Sequence, residues 1–540
     1  MYKDGKLYIA NSEGKPLELV GRMANRHGLI AGATGTGKTV TLQVLAETFS
    51  QAGVPCFMAD MKGDLSGISQ AGKMSSFIEK RMPEFGIENP HFSGCPTRFF
   101  DVFGEQGFPM RATISAMGPQ LLARLMQLTE VQSGVLNAVF RIADDNELLL
   151  IDLKDLKLML DFVGKNTSKF TTEYGNIAPA SIGAIQRAVL QIESEGGDLF
   201  FGEPAFDVED LFAVENGRGV MNVLVADRLM LNPKLYSTYL LWLMTEIYAR
   251  LPEVGDLDLP KLVFFFDEAH MLFDGTSKAL VDKIEQVIRL IRSKGVGIYF
   301  ITQVPSDVPA SILAQLSNRV QHALRAYTPQ DQKAVRAAAQ TFRANPAFKT
   351  EDAILDLATG EALVSLLDEK GAPCIVERAK ILFPLSQIGA ITSGQRMDIQ
   401  AAAPPKIKEY QNYFDQESAF EILTEVNRQV EEEKEAARKA AEKEKEEAAK
   451  NKKSASRKSS GIGRTILGTM VAAAATSFAR SAGTQIAKNI GGKKTTTSSK
   501  SSSKTASGSI LGDAVKKATQ TAASTATRKV TTEILKNILK

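Results

Sequence analysis

The feature that most constrains this sequence is a glycine-rich segment that directly follows a short apolar run at residues 28–31. The segment consists of Gly32, Ala33, Thr34, Gly35, Thr36, Gly37, Lys38, Thr39 and Val40. This pattern is typical of a phosphate-binding loop, in which a turn leaves a strand and opens a helix. Backbone N–H groups and the helix dipole then face the phosphate oxygens, Lys38 reaches the β- and γ-phosphates, and the Thr39 hydroxyl holds Mg²⁺. The segment therefore predicts a site for a nucleoside triphosphate.

A pair of acidic residues, Asp267 and Glu268, directly follows a second apolar run at residues 263–266. In nucleotide hydrolases an aspartate at the tip of such a strand holds the Mg²⁺ shell opposite the hydroxyl of the loop, here that of Thr39. The next residue, Glu268, is placed to polarise an attacking water as a general base. A strand that ends in Asp-Glu is common by itself. In a chain with a phosphate-binding loop, the pair favours hydrolysis over transfer to a small acceptor.

Two further side chains are candidates for contact with the γ-phosphate. Gln303 follows a predicted strand at residues 297–302, where it is placed to orient water or to respond to the loss of phosphate. Charge that develops on the γ-phosphoryl group often needs an arginine, which a neighbouring subunit can supply. We expect this residue to be Arg292, because it ends the helix that leads into the strand. The other candidates are Arg319, Arg289 and Arg325, and each arginine taken singly is more often a surface residue.

Apolar runs of strand length alternate with helical segments on both sides of a central helical region. The first strand, the loop and a helix at about residues 38–50 lead to a second strand at residues 54–59. Strand, helix and strand joined by a crossover of this length form a βαβ unit, which implies a parallel sheet. Further strands are predicted at residues 219–225, 261–266, 297–302 and 319–324, and a hairpin at residues 361–367 and 374–379. The predicted fold class is α/β with a mostly parallel twisted sheet.

Changes in composition divide the chain further. The predicted parts are a short β-rich lead-in (1–27), an α/β core (28–109 and 216–400), a helical insertion of about four helices (110–215), a charged helix (405–450) and a basic low-complexity tail (451–540). The tail is expected to hold a Gly/Ala-rich helix and an amphipathic helix between Ser/Lys/Thr-rich linkers. A lone solvated helix is favoured over a coiled coil for the charged part, because its heptads contain few apolar residues.

The net charge of +3 conceals a strong asymmetry. Residues 451–540 carry 17 Lys and Arg against 2 Asp and Glu, whereas residues 1–450 carry 48 against 60. A basic tail on an acidic body indicates an acidic partner, either nucleic acid or an anionic membrane, although a solvated tail that keeps the protein soluble is an equal alternative. A protein contact of the tail also stays open.

Cysteine and histidine usage predicts neither a zinc site nor a disulfide framework. The three cysteines and four histidines are scattered without ligand spacing, which fits a reducing compartment. The first residues lack the apolar core of a signal peptide, and no apolar run is long enough to span a bilayer. A cytoplasmic protein is expected, with peripheral membrane contact through the tail as an open alternative.

With these motifs in place, the chain resembles the HerA/FtsK branch of RecA-like motor ATPases, in particular its bacterial HerA-like group. The resemblance extends over about residues 5–400 and rests on the segments 32–39, 60–64, 98–105, 266–270, 301–303 and 384–389. It implies a RecA-like P-loop fold, ATP and Mg²⁺ as ligands, and a homohexameric ring that hydrolyses ATP and threads DNA through its centre. It also implies that Arg292 points into the next subunit's site and that Gln303 is the strand-end glutamine of the family.

One departure from the family concerns its N-terminal region. Archaeal members carry a complete β-barrel that docks a nuclease, and only about 27 residues precede the loop here. A barrel-docked nuclease partner is therefore not expected.

Two functions from different classes remain open at this point. The first is an ATP-hydrolysing ring motor that acts as a DNA translocase or helicase. The alternative is an ATP-gated assembly or scaffold protein whose basic tail binds membranes or proteins without moving DNA. A coupling ATPase that moves protein substrates shares the same motifs and is the weakest of the three.

Overall fold

The computed structural model describes residues 1–455 apart from Asp4, Asp256 and Gly275. The chain divides into two compact units, Met1–Leu423 and Thr424–Lys540. Nearly all of the predicted low-complexity tail, from residue 456 onward, lies outside the described residues. All residues of the predicted site belong to the first unit.

Strands and helices alternate along the first unit. The strands of the described residues are β1 (Tyr2–Lys3), β2 (Lys6–Ser12), β3 (Lys15–Leu19), β4 (Gly28–Ala31), β5 (Cys56–Asp60), β6 (Thr97–Asp101), β7 (Phe108–Pro109), β8 (Val214–Glu215), β9 (Arg218–Gly219), β10 (Met221–Val225), β11 (Leu262–Phe266), β12 (Val296–Thr302), β13 (Asn318–Gln321), β14 (Glu361–Ser365) and β15 (Glu377–Ile381). The α-helices are α1 (Lys38–Gln51), α2 (Ser76–Arg81), α3 (Ile114–Leu125), α4 (Glu130–Asp145), α5 (Leu153–Lys165), α6 (Thr167–Tyr174), α7 (Pro179–Ile192), α8 (Asp198–Phe200), α9 (Pro233–Arg250), α10 (Lys278–Ile291), α11 (Ala310–Leu313), α12 (Pro329–Ala339), α13 (Thr350–Asp356), α14 (Ser393–Ala402), α15 (Pro405–Lys408) and α16 (Ala419–Ala455).

A single 13-stranded sheet organises the first unit, in the order β1-β2-β15-β14-β13-β4-β12-β11-β5-β10-β6-β7, with β3 paired to β2. The strands from β13 to β7 are parallel, and those from β14 to β1 are antiparallel. The expected α/β fold with a mostly parallel sheet is confirmed. Every residue of β4, β5, β10, β11 and β12 is buried, which explains why these strands read as continuous apolar runs rather than alternating ones.

The register of the central strands brings their carboxyl ends to one edge of the sheet. Ala31 of β4 is paired with Thr302 of β12, Phe300 of β12 with Phe266 of β11, and Phe266 with Ala59 of β5. We call this the carboxyl edge and the opposite side, where the same strands begin, the amino edge. Loops that follow the strands therefore meet at the carboxyl edge, where ligands bind in open α/β sheets.

The helical insertion packs against the core through α9. Asn232 caps α9 by accepting a hydrogen bond from the N–H of Leu235 at 3.1 Å, and a proline occupies the first helical position. The ring of Phe200 lies 5.6 Å from that of Tyr239 and 6.5 Å from that of Trp242, both on α9. The insertion contains five helices of eight or more residues, one more than predicted, because the Thr-rich α6 lacks a clear apolar repeat.

Three segments differ from the sequence-based expectation. The lead-in joins the main sheet, since β2 pairs with β15 through Lys380 and Asn11, residues far apart in the chain. Strand β6 was not predicted, although it lies beside β10. The charged helix begins at Ala419 rather than at residue 405, because the chain first forms the short helix α15 and Ser418 then starts α16 with its N–H donating to Glu421 at 2.9 Å.

Candidate nucleotide site

The glycine-rich loop connects β4 to α1 at the carboxyl edge. The N–H of Gly32 donates to the carbonyls of Thr302 at 3.2 Å and Gln303 at 3.1 Å, and the N–H of Ala33 donates to Ala323 at 2.8 Å. A side chain at Gly32 would place its Cβ 2.5 Å from the Cβ of His322, so only glycine fits there. The start of the loop is thus fixed between the ends of β12 and β13.

The rest of the loop leaves backbone donors open. Among the described residues, the amides of Gly35, Gly37, Lys38 and Thr39 donate no hydrogen bond. Gly37 adopts the left-handed region at φ 115°, which turns the chain into α1. Such a group of unpaired amides at a helix N-terminus is the arrangement that binds phosphate oxygens.

The side chain of Lys38 folds back onto the loop that would bind the phosphates. Its Nζ donates to the carbonyls of Gly32 at 2.6 Å and Ala33 at 3.1 Å. Burial lowers the pKa of Lys38, and the carboxylates of Glu268 and Asp267 oppose that shift. The lysine therefore lies within the electrostatic reach of the acid pair, as a shared phosphate site requires.

Strand β12 lies between the loop strand β4 and the acid strand β11. Because adjacent strands are about 4.8 Å apart, the ends of β4 and β11 are separated by about 10 Å. Gln303, which directly follows β12, is exposed at the middle of this gap. The predicted residues Lys38, Thr39, Asp267, Glu268 and Gln303 are thus grouped at one edge of the sheet.

Asp267 is buried at the tip of β11, with 4 % of its surface exposed. Burial and, second, the charge of Glu268 raise the pKa of Asp267 to about 6. A cation at this position would remove that penalty, because it favours the ionised carboxylate. Asp267 and the half-buried Thr39 thus fit the magnesium shell predicted for them.

Magnesium in such a site keeps several waters and phosphate oxygens and needs only one or two protein ligands. In the described part of the chain, no group of three or more His, Cys, Asp or Glu residues is arranged to hold a metal ion.

Glu268 has an unusual backbone and an incompletely satisfied carboxylate. It adopts the left-handed region at φ 46° and ψ 51°, which costs a non-glycine residue about 1–2 kcal/mol. Its Oε1 forms an ion pair with Lys62, whereas its buried Oε2 has no hydrogen-bond partner among the described residues. Burial would raise the pKa of Glu268, but the hydrogen bond and charge of Lys62, with His270 and Lys38, lower it overall. The carboxylate is therefore ionised, and Oε2, which lies 3.5 Å from Nδ1 of His270, can still accept a hydrogen bond.

Two residues at the site were not assigned a role from the sequence. Lys62 lies in the segment 60–64, which entered only through the family resemblance. His322 lies under the loop, where its Nε2 is 2.7 Å from Thr41 Oγ1 and its Nδ1 is 2.8 Å from the carbonyl of Glu361. A histidine directly after a short strand carries no distinctive local signal, and only the pairing of β13 with β4 brings it to the loop.

Arg292 lies at the amino edge, away from the loop of its own chain. It precedes β12, whose seven residues separate the two edges by roughly 20 Å. Half-buried, it lines a cavity of about 390 Å³ together with Arg26 and Arg289. Arg292 therefore cannot contact a nucleotide held by its own chain.

The other candidate arginines have different surroundings. The guanidinium of Arg319 donates to the carbonyls of Leu316, Thr341 and Leu313 at 2.9, 3.1 and 3.0 Å, which gives it a structural role. Arg289 is exposed and paired with Glu285 at 2.7 Å. Arg325 is exposed beyond the end of β13.

The sequence profile of the helicase HerA-like C-terminal family matches residues 6–495. The chain belongs to this family. The match confirms the family that the motifs indicated, and with the phosphate loop and the acid pair it identifies a P-loop ATPase. No curated protein has a significantly similar sequence.

Several solved structures match this chain at low sequence identity and low TM-score. The plasmid coupling protein TrwB in complex with ADP and Mg²⁺ is 15 % identical at a TM-score of 0.46, over 71 % of this chain and 91 % of TrwB. VirB4 of Thermoanaerobacter pseudethanolicus is 15 % identical at a TM-score of 0.46, over 71 % of this chain and 98 % of VirB4. The pCW3 conjugation coupling protein TcpA with ATPγS is 14 % identical at a TM-score of 0.28, over 76 % of this chain and 72 % of TcpA. Identity and TM-score are low in each case, so the family assignment depends on the profile match.

Proposed function

We propose that this HerA-like protein is an ATP-driven ring motor that translocates DNA. The observation that carries the proposal is the grouping of Lys38, Asp267, Glu268 and Gln303 at the carboxyl edge while Arg292 faces away at the amino edge. The site of one subunit is complete except for an arginine. In a head-to-tail ring, the neighbouring subunit would supply that arginine.

Within one subunit, the loop would hold ATP. The open amides of Gly35, Gly37, Lys38 and Thr39 and the ammonium of Lys38 would bind the phosphates. Thr39 and Asp267 would hold Mg²⁺, which would supply positive charge to the β- and γ-phosphates. Glu268 accepts a proton from the attacking water, because its carboxylate is ionised and its Oε2 has no hydrogen-bond partner among the described residues. Gln303 orients that water from the end of β12.

ATP hydrolysis at this site does not by itself imply a ring or a DNA substrate, so these two parts of the proposal need further support. A heterologous interface closes into a ring when the rotation per subunit allows it, and it would bring Arg292 of one copy to the loop of the next. The helicase description of the family favours a nucleic acid as the substrate. The scaffold alternative has no support among the described residues, and the tail that motivated it lies outside them.

No helix among the described residues has the length and apolar character needed to cross a membrane. A cytoplasmic location and a membrane or protein contact through the basic tail stay predictions.

The proposal is tested by measuring ATP turnover of the full chain with and without double- and single-stranded DNA over a range of salt, and by imaging particles of the ATP-bound form. We expect DNA to stimulate turnover, salt to weaken this effect because phosphate contacts depend on counterion release, and ring-shaped particles to form. Turnover that no DNA alters at any salt concentration would favour the scaffold alternative. An absence of ATP hydrolysis would contradict the assignment of the site itself.

A further inference from the structure

Glu268 forms an ion pair with Lys62. Among the described residues, no other lysine or arginine is paired with Glu268. The ammonium contacts Oε1 of Glu268, and this hydrogen bond is the main reason that the pKa of Lys62 is raised. The side chain of Lys62 is 53 % exposed, whereas that of Glu268 is 12 % exposed. The lysine thus reaches the carboxylate from the solvent side, where a nucleotide would enter.

The backbone around Lys62 is held firmly although its side chain is not. Oδ1 of the buried Asp60 accepts hydrogen bonds from the N–H groups of Lys62 at 3.3 Å and Gly63 at 2.7 Å. Gly63 adopts the left-handed region at φ 77°, and its carbonyl accepts from Ser66 Oγ at 2.7 Å. This turn at the end of β5 fixes the origin of the side chain and leaves its flexible stem free to move.

The position of β5 places Lys62 beside the expected γ-phosphate. Strand β5 is adjacent to β11, on the side opposite β12. The positive charge of Lys62 acts on both Lys38 and Asp267. It contributes to the lowered pKa of Lys38 and partly offsets the raised pKa of Asp267. Lys62 and Lys38 are therefore within electrostatic reach of each other, an arrangement that suits a ligand with several negative charges.

We propose that Lys62 is a γ-phosphate-binding residue that exchanges its ion pair with Glu268 for the terminal phosphate of ATP. This inference depends on the proposed role of Glu268 as the general base. A carboxylate paired with an ammonium is a weak base, so the exchange frees Oε1 of Glu268 for water only when a γ-phosphate is present. After the phosphate leaves, Lys62 returns to Glu268.

The physical reason for the exchange is charge. A magnesium-bound triphosphate offers a terminal group with more negative charge than one carboxylate, and a partly exposed lysine loses little when it changes partners. ADP lacks that group and leaves the ion pair in place. The device would prevent Glu268 from acting on water when the site holds ADP.

The experiment measures the affinity of the full chain, with Mg²⁺, for ADP and for the non-hydrolysable analogue ADPNP. Measurements are made on Glu268→Gln and on the double variant Lys62→Met/Glu268→Gln. Removing the charge of Glu268 from both proteins excludes its repulsion of the phosphates as a cause. We expect the double variant to bind ADPNP about tenfold more weakly, as for the loss of a hydrogen bond to a charged group, and ADP equally well. The matched control is Lys73→Met/Glu268→Gln, because Lys73 is an exposed lysine in the same region of the chain.

A second readout uses the single variants. Lys62→Met should lower kcat for ATP, and Lys62→Arg should restore a part of it because a guanidinium still binds phosphate. An equal effect on ADP and ADPNP, or none on either, would overturn the proposal even if kcat falls. The binding comparison needs no hydrolysis, so it is decided separately from the proposed function, which fails if the wild-type chain does not hydrolyse ATP.

Discussion

The carboxyl and amino edges of the same parallel sheet differ in how their polar groups are satisfied. At the carboxyl edge, several loop amides and one oxygen of Glu268 have no hydrogen-bond partner among the described residues. At the amino edge, the ring of His27 is fully used, since Nε2 donates to the carbonyl of Ile288 at 2.9 Å and Nδ1 accepts from the N–H of Ile298 at 3.0 Å. The open groups at the carboxyl edge mark a surface that a ligand completes, whereas the ring of His27 is satisfied within the fold.

Each edge also carries one buried histidine. Burial lowers the pKa of both His27 and His322 to about 4, so each ring is neutral in the folded protein. His27 holds strands at the amino edge together, and His322 supports the loop at the carboxyl edge. Both histidines therefore have a structural role. The groups available for chemistry differ from them in having unused hydrogen-bonding atoms, not in residue type.

The largest effect is expected at the amino edge. If Arg292 acts in the neighbouring subunit's site, Arg292→Ala should lower ATP turnover by about 10³-fold or more, the contribution of an arginine supplied across an interface. Mixing Arg292→Ala with Lys38→Ala subunits should recover activity, because some interfaces then combine an intact loop with an intact arginine. Arg289→Ala is the matched control from the same cavity. Failure of the mixture to recover would show that the amino edge takes no part in the chemistry.

The next largest effect is expected at the carboxyl edge. Glu268→Gln should lower turnover by about 10²–10⁴-fold, the contribution of a general base, while binding of ATP is kept. Steady-state hydrolysis and nucleotide affinity are measured on the same preparations, with Glu253→Gln as a control at an exposed glutamate. Wild-type turnover in Glu268→Gln would remove this residue from the mechanism.

A smaller effect, on stability alone, separates Arg319 from Arg292. Arg319→Ala leaves three backbone carbonyls without their donors and should lower the free energy of unfolding by about 3 kcal/mol. Turnover per folded molecule should stay close to that of the wild type. Denaturant unfolding and ATP hydrolysis are compared with those of Arg187→Ala, at an exposed arginine on α7. A loss of turnover at full stability would assign Arg319 to the site instead.

The smallest effect concerns pH. Because the pKa of His322 is about 4 in the folded chain against an ordinary 6.5, the unfolded chain takes up a proton first as the pH falls. The stability that His322 contributes is complete above pH 6.5 and is lost as the pH falls toward 4. Between pH 7 and 5 this loss amounts to about 2 kcal/mol in the free energy of unfolding.

The measurement is the change in unfolding free energy between pH 7 and 5 for His322→Gln and for His91→Gln, at an exposed histidine. His322→Gln should reduce the change by about 2 kcal/mol, and His91→Gln should not alter it. Taking the difference from the wild type removes the opposing effect of Asp60 and Asp267, whose pKa values are raised by burial to about 7 and about 6. An unaltered change in His322→Gln would mean that the ring takes up its proton over the same pH range in the folded and the unfolded chain.

The sequence alone determined the features that a short stretch of chain encodes. Gly32 and Gly37 are required by a close approach and a left-handed backbone, and the buried strands read as apolar runs because both faces of a parallel sheet are covered. These requirements are local, so the loop, the acid pair and most strands were found within a few residues of their observed bounds.

The tertiary structure alone decided which of these parts meet. The position of β12 between β4 and β11, the joining of β2 to β15, the contact of Lys62 with Glu268 and the place of His322 under the loop depend on pairing between residues distant in the chain. Local periodicity specifies that a strand forms, but not its neighbour, because partner choice depends on the burial and hydrogen bonding of the whole sheet. For that reason the residue types of the nucleotide site could be predicted from the sequence, whereas their spatial arrangement could not.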